Sequence, residues 1–185
     1  MKDLLLLSPG RTSGGGSAFA DQLHAEISKQ SERHVSSLGV PAQGRLSLPP
    51  GPPRINVFIG ARVLKPRPGD ISVFWPLNVA PLERHVDRLA HTSVRNMARQ
   101  QALRLRLRES VGRADALVFG SHHARTLYLA TYPAAERLPY TVIPGGAPSL
   151  TDPHRWTDHM AAPTVLAVSH LYPYKGMLEL LEAFA

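Results

Sequence analysis

The stretch from Leu4 to Ser17 constrains the fold more than any other part of the chain. A run of four leucines, Leu4–Leu7, is followed by Ser-Pro-Gly and is typical of a short strand buried on both faces. Three glycines, Gly14–Gly16, then lead into a segment whose apolar residues recur on one face of a helix, with Ser17 as its expected N-cap. Strand, glycine-rich turn and helix open a doubly wound domain, so we expect an α/β fold with a Rossmann-like parallel sheet and flanking helices.

The glycine-rich turn is a candidate anion site. Glycines lack a Cβ, so backbone N–H groups can approach a bound oxygen closely, and the first turn of a helix attracts phosphate. The turn does not fit G-x-G-x-x-G or the P-loop, and Phe19 stands where a nucleophile elbow around Ser17 needs glycine. On these residues alone, a phosphate-binding loop and a tight turn without a ligand both stay open.

Composition excludes several classes of protein. The chain has 185 residues, 43% of them hydrophobic, which suits a globular domain. It has no cysteine, which excludes a disulfide framework, and its nine histidines show no metal-ligand spacing, so we expect no metal. Because no apolar run approaches a membrane span or a signal-peptide core, we expect a cytoplasmic protein. The net charge of +7 favours anionic partners.

Five further apolar stretches predict strands. They are His34–Leu38, Ile55–Ile59, Ile71–Trp75, Ala116–Phe119 and Tyr140–Ile143. The second and third lie too close together for a full helix between them, so either a short helix intervenes or the two strands pair directly. Pro41–Pro53 contains five prolines and predicts an irregular connection or a mobile flap. A helix is expected over His122–Tyr132.

The longest helical signal runs from Pro81 to Arg108. Its apolar residues keep to one broad side: Val86, Leu89, Ala90, Val94, Met97 and Leu105. Five arginines form one stripe: Arg84, Arg88, Arg95, Arg99 and Arg106. Such a stripe is usually a solvated face. Its alternative is a docking face for anionic lipid or nucleic acid. Of these two partners, we expect the inner face of an anionic membrane, contacted through Arg84, Arg88, Arg95 and Arg99, and we expect no nucleic acid.

The strand and helix pattern restarts near the end of the chain. After a stretch rich in Pro, Asp and His, Thr164–Val168 predicts a strand, and a helix follows that includes Leu178 and Leu181. We therefore expect a first domain over 1–147 and a linker over 148–163. Residues 164–185 then form the first strand and helix of a second α/β domain that is cut short.

Four segments resemble, in order, the GT-B retaining glycosyltransferases of the group 1 or family 4 type. The most specific is Val168–Phe184, which is similar to the family's Gly-Arg-Leu, Lys-Gly and Leu-Leu-x-Ala-Phe pattern at the start of the C-terminal domain. Gly14–Gly16 resembles its glycine-rich first loop, and Ala114–Ser121 its alanine, aspartate, apolar strand and serine segment. Val142–Gly146 is similar to its Val-Ile-Pro-Asn-Gly hinge.

The resemblance implies the N-terminal half of a glycosyltransferase that moves a sugar from a nucleotide-sugar donor to an acceptor with retention and without a metal or other cofactor. The acceptor class (glycan, lipid-linked or small molecule) and the catalytic residues stay open. By the resemblance, the donor-phosphate residues are Gly15, Gly16, His170 and Lys175, and the acceptor-side residues are Gly14 and Asn78. His170 replaces the family's usual arginine, and the family's Glu-x7-Glu stretch would lie beyond Ala185. Little or no transferase activity is therefore expected of these 185 residues.

Two alternative functions stay open on the residues. One is a Rossmann nucleotide-binding oxidoreductase, although G-x-G-x-x-G and a clear acidic residue after the second strand are missing. The other is a non-catalytic basic module that uses the arginine stripe on an anionic membrane or a nucleic acid. Titration with NAD and UDP separates the oxidoreductase from the transferase, and salt-dependent binding without nucleotide affinity favours the module.

Overall fold

The computed structural model describes residues 2–9, 15–40, 47–77, 82, 94–144 and 177–183. Within them, six strands form one parallel sheet in the order β2-β1-β3-β4-β5-β6. The strands are β1 (Leu4–Pro9), β2 (Val35–Val40), β3 (Ile55–Ile59), β4 (Ile71–Trp75), β5 (Ala116–Phe119) and β6 (Tyr140–Val142). The helices are α1 (Gly15–Gln30), α2 (Val94–Arg113), α3 (His122–Thr131), a 3₁₀ helix (Pro133–Arg137) and α4 (Met177–Ala183). The predicted Rossmann-like α/β sheet is confirmed.

Strands β3 and β4 pair directly and in parallel, although no helix connects them. Ile55 lies opposite Ile71 and Ile59 opposite Trp75, and residues 60–70 between the strands form no helix. Of the two possibilities that the sequence left open, direct pairing is therefore the correct one. A parallel pair needs a crossover long enough to return to the start of the sheet, and eleven irregular residues provide it here.

The sheet is covered on both faces because its side chains alternate. Leu5 and Leu7 of β1 join the larger core cluster with residues of α2 and α3, whereas Leu6 joins a smaller cluster with Ala20 of α1. The larger cluster also holds Phe58, Phe74, Val111, Leu117, Phe119 and Tyr128. Helix α1 therefore lies on one face, and α2 and α3 lie on the other, which gives three layers.

Three predictions about the helices are wrong. Helix α1 begins at Gly15, so Ser17 lies inside the helix and is not its N-cap. Helix α2 ends at Arg113, beyond the predicted end at Arg108, because Val111 is buried in the core and extends the inward face. Val94, Met97 and Leu105, predicted to lie on an apolar face, are exposed to solvent. Residues 81 and 83–93 of the predicted helix lie outside the described residues.

The Asp70 carboxylate organises the amino edge of the sheet. Its Oδ1 accepts a hydrogen bond from the Arg54 backbone N–H (3.0 Å), and its Oδ2 accepts from Asn56 Nδ2 (3.0 Å) and from Arg67 Nε (3.2 Å). The carboxylate is fully buried, and burial alone raises its pKa. The hydrogen bonds from Arg67, Arg54 and Asn56 outweigh that effect, so the pKa of Asp70 lies below its ordinary value of 3.8.

The same two arginines hold the proline-rich connection before β3. Arg54 Nη2 donates to the carbonyls of Pro49 (3.0 Å) and Pro50 (3.1 Å), and Arg67 donates to those of Pro49 (2.6 Å) and Pro52 (3.0 Å). Because proline has no backbone N–H, this segment cannot pair as a regular strand. Its carbonyls therefore find their partners in side chains instead. The described part of the connection is irregular, as predicted, and it is tied to the amino edge through the arginines. Residues 41–46 lie outside the described residues.

Helix α4 coincides with the helix predicted near the end of the chain. The rest of the predicted linker and second domain, including strand Thr164–Val168, lies outside the described residues. Among the helices that the structure describes, none combines the length and the apolar character needed to cross a bilayer.

Candidate functional site

The carboxyl edge of the sheet is the place where the topology favours a ligand. Strand β1 lies between β2 and β3 in the sheet. The chain first goes from β1 to β2 on one side, and then returns to form β3 on the other side of β1. In open parallel sheets, a crevice forms beyond the carboxyl ends of the strands where the order reverses in this way. Pro9 ends β1 and Gly60 follows β3, so these two residues mark the crevice.

A cavity of about 200 Å³ lies at this edge, on the face of the sheet that α2 covers. It is lined by the ends of four strands and by one side of α2. The lining residues are Pro9, Val40, Gly60, Ala61, Arg62, Phe74, Pro76, Leu77, Leu103, Arg106, Leu107 and Ser110. Because Pro9, Val40, Gly60 and Pro76 all lie at or just beyond the carboxyl ends of their strands, the parallel sheet itself brings them together.

Gly60 shapes one wall of the cavity. Its φ of +63° lies in the left-handed region, which favours glycine, and its N–H donates to the carbonyl of Trp75 at 2.8 Å. A Cβ at this position would lie 3.1 Å from Cδ1 of Leu77, which also lines the cavity. Glycine therefore allows β3 to end in a tight turn with Leu77 packed directly against it.

Hydrogen bonds to α2 fix the opposite wall. Ser110 Oγ accepts from the backbone N–H of Val63 at 3.1 Å, and both residues are buried. Arg113 Nη1 donates to the carbonyl of Val63 at 3.3 Å. The segment after β3 is thus held against the last turns of α2, so the cavity walls are positioned without a ligand.

The lining suits a ligand with an apolar body and an anionic or hydroxyl group. Among the described residues, most of the lining side chains are aliphatic or aromatic, and the cationic ones are Arg62 and Arg106. Guanidinium groups recognise carboxylates and phosphates through paired hydrogen bonds. Within the described part of the chain, no cluster of three or more His, Cys, Asp or Glu residues could hold a metal ion.

The structure places two of the predicted site residues at the same edge. Gly15 and Gly16 form the first turn of α1, where backbone N–H groups have no partner within the helix. Helix α1 lies on the other face of the sheet from the cavity, and Phe19 packs edge-on against Trp75 with ring centroids 5.3 Å apart. Trp75 is buried at the end of β4, and its indole Nε1 has no hydrogen-bond partner among the described residues.

The other predicted site residues lie outside the described residues. They are Gly14, Asn78, His170 and Lys175. Of the described residues, neither Gly15 nor Gly16 lines the cavity, and sequence reasoning missed Arg62 and Ser110 altogether. The one available signal was the Gly60-Ala61-Arg62 sequence directly after a strong strand, since ligands bind beyond the carboxyl ends of parallel strands.

Comparisons with known protein families, with curated proteins and with solved structures found no match for this chain.

Proposed function

We propose that the chain is the acceptor-side lobe of a GT-B glycosyltransferase, which moves a sugar from a nucleotide-sugar donor to an acceptor with retention. The observation that carries this proposal is the carboxyl edge of the sheet. There the N-terminus of α1, which begins with Gly15 and Gly16, and the 200 Å³ cavity lie on either side of the point where the strand order reverses. A transferase must hold two substrates next to each other, and this edge offers two different environments for them.

The cavity is the proposed acceptor site. Its apolar walls favour an acceptor with an apolar portion, and Arg62 and Arg106 favour one that also carries an anionic or strongly polar group. Its fixed walls reduce the entropy lost when the acceptor is positioned for attack.

The first turn of α1 is the proposed neighbour of the donor diphosphate. The unpaired N–H groups and partial positive charge of a helix N-terminus stabilise a phosphate, and glycine lets the phosphate come close. In this proposal, Lys175 and His170 add side-chain contacts to the same phosphates, as the family resemblance implies. These groups stabilise the negative charge that develops on the departing nucleoside diphosphate.

Nucleotide binding by the purified chain tests the proposal. The chain is titrated with UDP, GDP and NAD by calorimetry, and we expect one of the diphosphates to bind more tightly than NAD. Lys175→Gln should weaken that binding about tenfold, because a hydrogen bond to a charged phosphate contributes about 1.5 kcal/mol or more. Lys65→Gln, which removes an exposed lysine of the 60–70 connection, is the matched control and should bind as the parent chain does.

Two results would reject the proposal. Tighter binding of NAD than of either diphosphate would indicate the oxidoreductase alternative. Equal diphosphate affinity in the Lys175→Gln and Lys65→Gln variants would remove the donor-phosphate role of Lys175.

A further inference from the structure

Helix α2 has a second apolar face that points away from the core. Its inward face carries Leu107 and Val111, which pack in the larger core cluster. On the opposite side, Val94 and Leu105 are 77% and 64% exposed, and Ala98 between them is also exposed. At about 100° per residue, these three residues fall within about 40° of one another on the helix, with the exposed Gln101 and Glu109 at the borders of the same sector. We call Val94, Ala98 and Leu105 the outer stripe.

Arginines flank the outer stripe on both sides. Arg95 and Arg99 form a row about 100° away on one side, and Arg104 and Arg108 form a row about 80° away on the other. Arg106 lines the cavity at the carboxyl edge and is not part of either row. Helix α2 carries six arginines and one glutamate in total. Arg95, Arg99, Arg106 and Arg108 are exposed, and none of them has an ion pair with a residue that the structure describes.

A second cavity lies beside the row of Arg104 and Arg108. It has a volume of about 510 Å³ between α2 and the 3₁₀ helix, and its lining includes both arginines, Leu105 of the outer stripe and Tyr132. The Tyr132 hydroxyl donates to the backbone carbonyl of Arg104 at 3.0 Å, which fixes this turn of α2. The cavity therefore offers cationic side chains and an apolar edge next to each other.

We propose that α2 docks along the surface of an anionic lipid bilayer, with the outer stripe at the acyl boundary and the two arginine rows on the phosphate headgroups. A helix that lies in the bilayer interface has this pattern, with an apolar strip between basic residues. The charge of +7 on the whole chain adds long-range attraction to such a surface.

The same pattern argues against nucleic acid as the partner. Phosphates of RNA or DNA would meet the arginine rows, but they would also cover the outer stripe with charge and leave its apolar area without a complementary surface. Arg84 and Arg88 of the predicted stripe lie outside the described residues, so the surface proposed here rests on α2 alone. The docking does not depend on the proposed transferase activity.

The test is sedimentation of the full chain with vesicles of phosphatidylcholine, alone or mixed equally with phosphatidylglycerol. We expect binding only to the mixed vesicles, and we expect it to weaken as salt is raised. Arg95→Gln/Arg99→Gln/Arg108→Gln should weaken binding about a hundredfold, since each basic residue near an anionic surface contributes about fivefold. The control is Arg33→Gln/Lys65→Gln/Arg137→Gln, which removes three exposed charges outside α2 and should lower binding only slightly.

A second variant tests the apolar contact. Val94→Ser/Leu105→Ser keeps every charge, and we expect it to bind mixed vesicles at least tenfold less than the parent chain, because both side chains are largely exposed and free to enter the interface. Its binding to a 20-base-pair RNA duplex is measured in parallel. Equal vesicle binding by the two charge variants would overturn the proposal, and so would tight RNA binding that the serine substitutions leave unchanged. All variants change exposed residues, and circular dichroism verifies that each is folded.

Discussion

Replacement of Asp70 by asparagine should destabilise the protein by disrupting the amino edge of the sheet. All the groups that reach the Asp70 carboxylate are donors: the Arg54 N–H, Asn56 Nδ2 and the Arg67 guanidinium. An asparagine keeps the shape of the side chain and one acceptor oxygen. Its NH₂ group, however, faces the N–H donors that were bonded to the other carboxylate oxygen. The substitution also leaves the partly buried charge of Arg67 without its anion, since the Arg67 side chain is only 23% exposed.

The expected magnitude follows from these contacts. Removal of one partner of a buried ion pair costs about 3–5 kcal/mol, and the oxygen that asparagine retains places Asp70→Asn near the lower end, at about 3 kcal/mol. For a domain of this size, each kcal/mol shifts the melting temperature by about 2–4 °C, so we expect a decrease of about 6–12 °C at pH 7. Asp21→Asn on the exposed surface of α1 is the matched control and should change stability by less than about 0.5 kcal/mol.

The effect should depend on pH in a defined direction. The pKa of Asp70 lies below its ordinary value of 3.8 in the folded protein, so the unfolded chain binds the proton more readily than the folded one. The stability that the carboxylate contributes is therefore fully present well above pH 3.8 and is lost as the pH falls through the folded pKa. The difference between the parent chain and Asp70→Asn should shrink over that acidic range.

Urea unfolding followed by circular dichroism at pH 7, 5, 4 and 3 measures this difference. The free energy of unfolding is compared for the parent chain, Asp70→Asn and Asp21→Asn. If Asp70→Asn is as stable as Asp21→Asn at pH 7, or if its deficit is the same at pH 3 as at pH 7, the role assigned to the carboxylate is wrong.

Three further substitutions test the walls of the cavity and the end of α2 by urea unfolding. Gly60→Ala should destabilise by about 1–2 kcal/mol, because alanine is strained at positive φ and its Cβ would press on Leu77. Gly112→Ala should instead stabilise by about 0.5–1 kcal/mol, since the new Cβ meets no atom within 4 Å and alanine favours a helix; shifts of the same sign at both glycines would contradict this reasoning. Ser110→Ala should cost about 1–3 kcal/mol because it leaves the buried N–H of Val63 without an acceptor. An unchanged unfolding midpoint for Ser110→Ala would mean that this hydrogen bond does not hold the wall.

Strands β3, β4 and β5 could be predicted with their bounds because each is a short apolar run with a strong stop. Strands β1 and β2 instead run past their predicted ends, through Pro9 and Val40, because both pair with each other over six residues. Ile55–Ile59 and Ile71–Trp75 have the predicted bounds in the structure, since buried parallel strands need apolar residues on both faces and Gly60 and Pro76 end them. The α/β class followed from the alternation of such runs with helical segments. The start of α1 was misplaced because Ser17 has the chemistry of an N-cap, while two glycines before it already adopt helical geometry.

The apolar pattern alone did not reveal which side of α2 faces the core. Val94 and Leu105 resemble core residues, but the neighbouring elements bury Val111 and partly bury Leu107 instead. A helix with two apolar sides gives a periodicity that fits either side, and only the tertiary contacts decide between them. This ambiguity in the sequence is the same feature that supports the docking proposal.

The cavity could not be predicted because its walls come from segments that are distant in the chain. Pro9, Gly60, Leu77 and Leu103 approach one another only because the sheet has the order β2-β1-β3-β4 and α2 lies on one face of it. Local periodicity contains no information on strand order. The Asp70 cluster was missed for the same reason, since Arg54 and Asp70 lie sixteen positions apart.

Because all six strands run in the same direction, the two edges of the sheet carry different features. The polar cluster around Asp70 lies at the amino edge, and the turn at Gly60 and the cavity lie at the carboxyl edge. Under the proposed function, substitutions of cavity-lining side chains other than the wall-forming Gly60 and Ser110 should therefore alter selectivity for small molecules, with less effect on thermal tolerance than substitutions around Asp70. Random mutagenesis of this chain should yield two classes of impaired variants, and their positions should map to opposite ends of the strands.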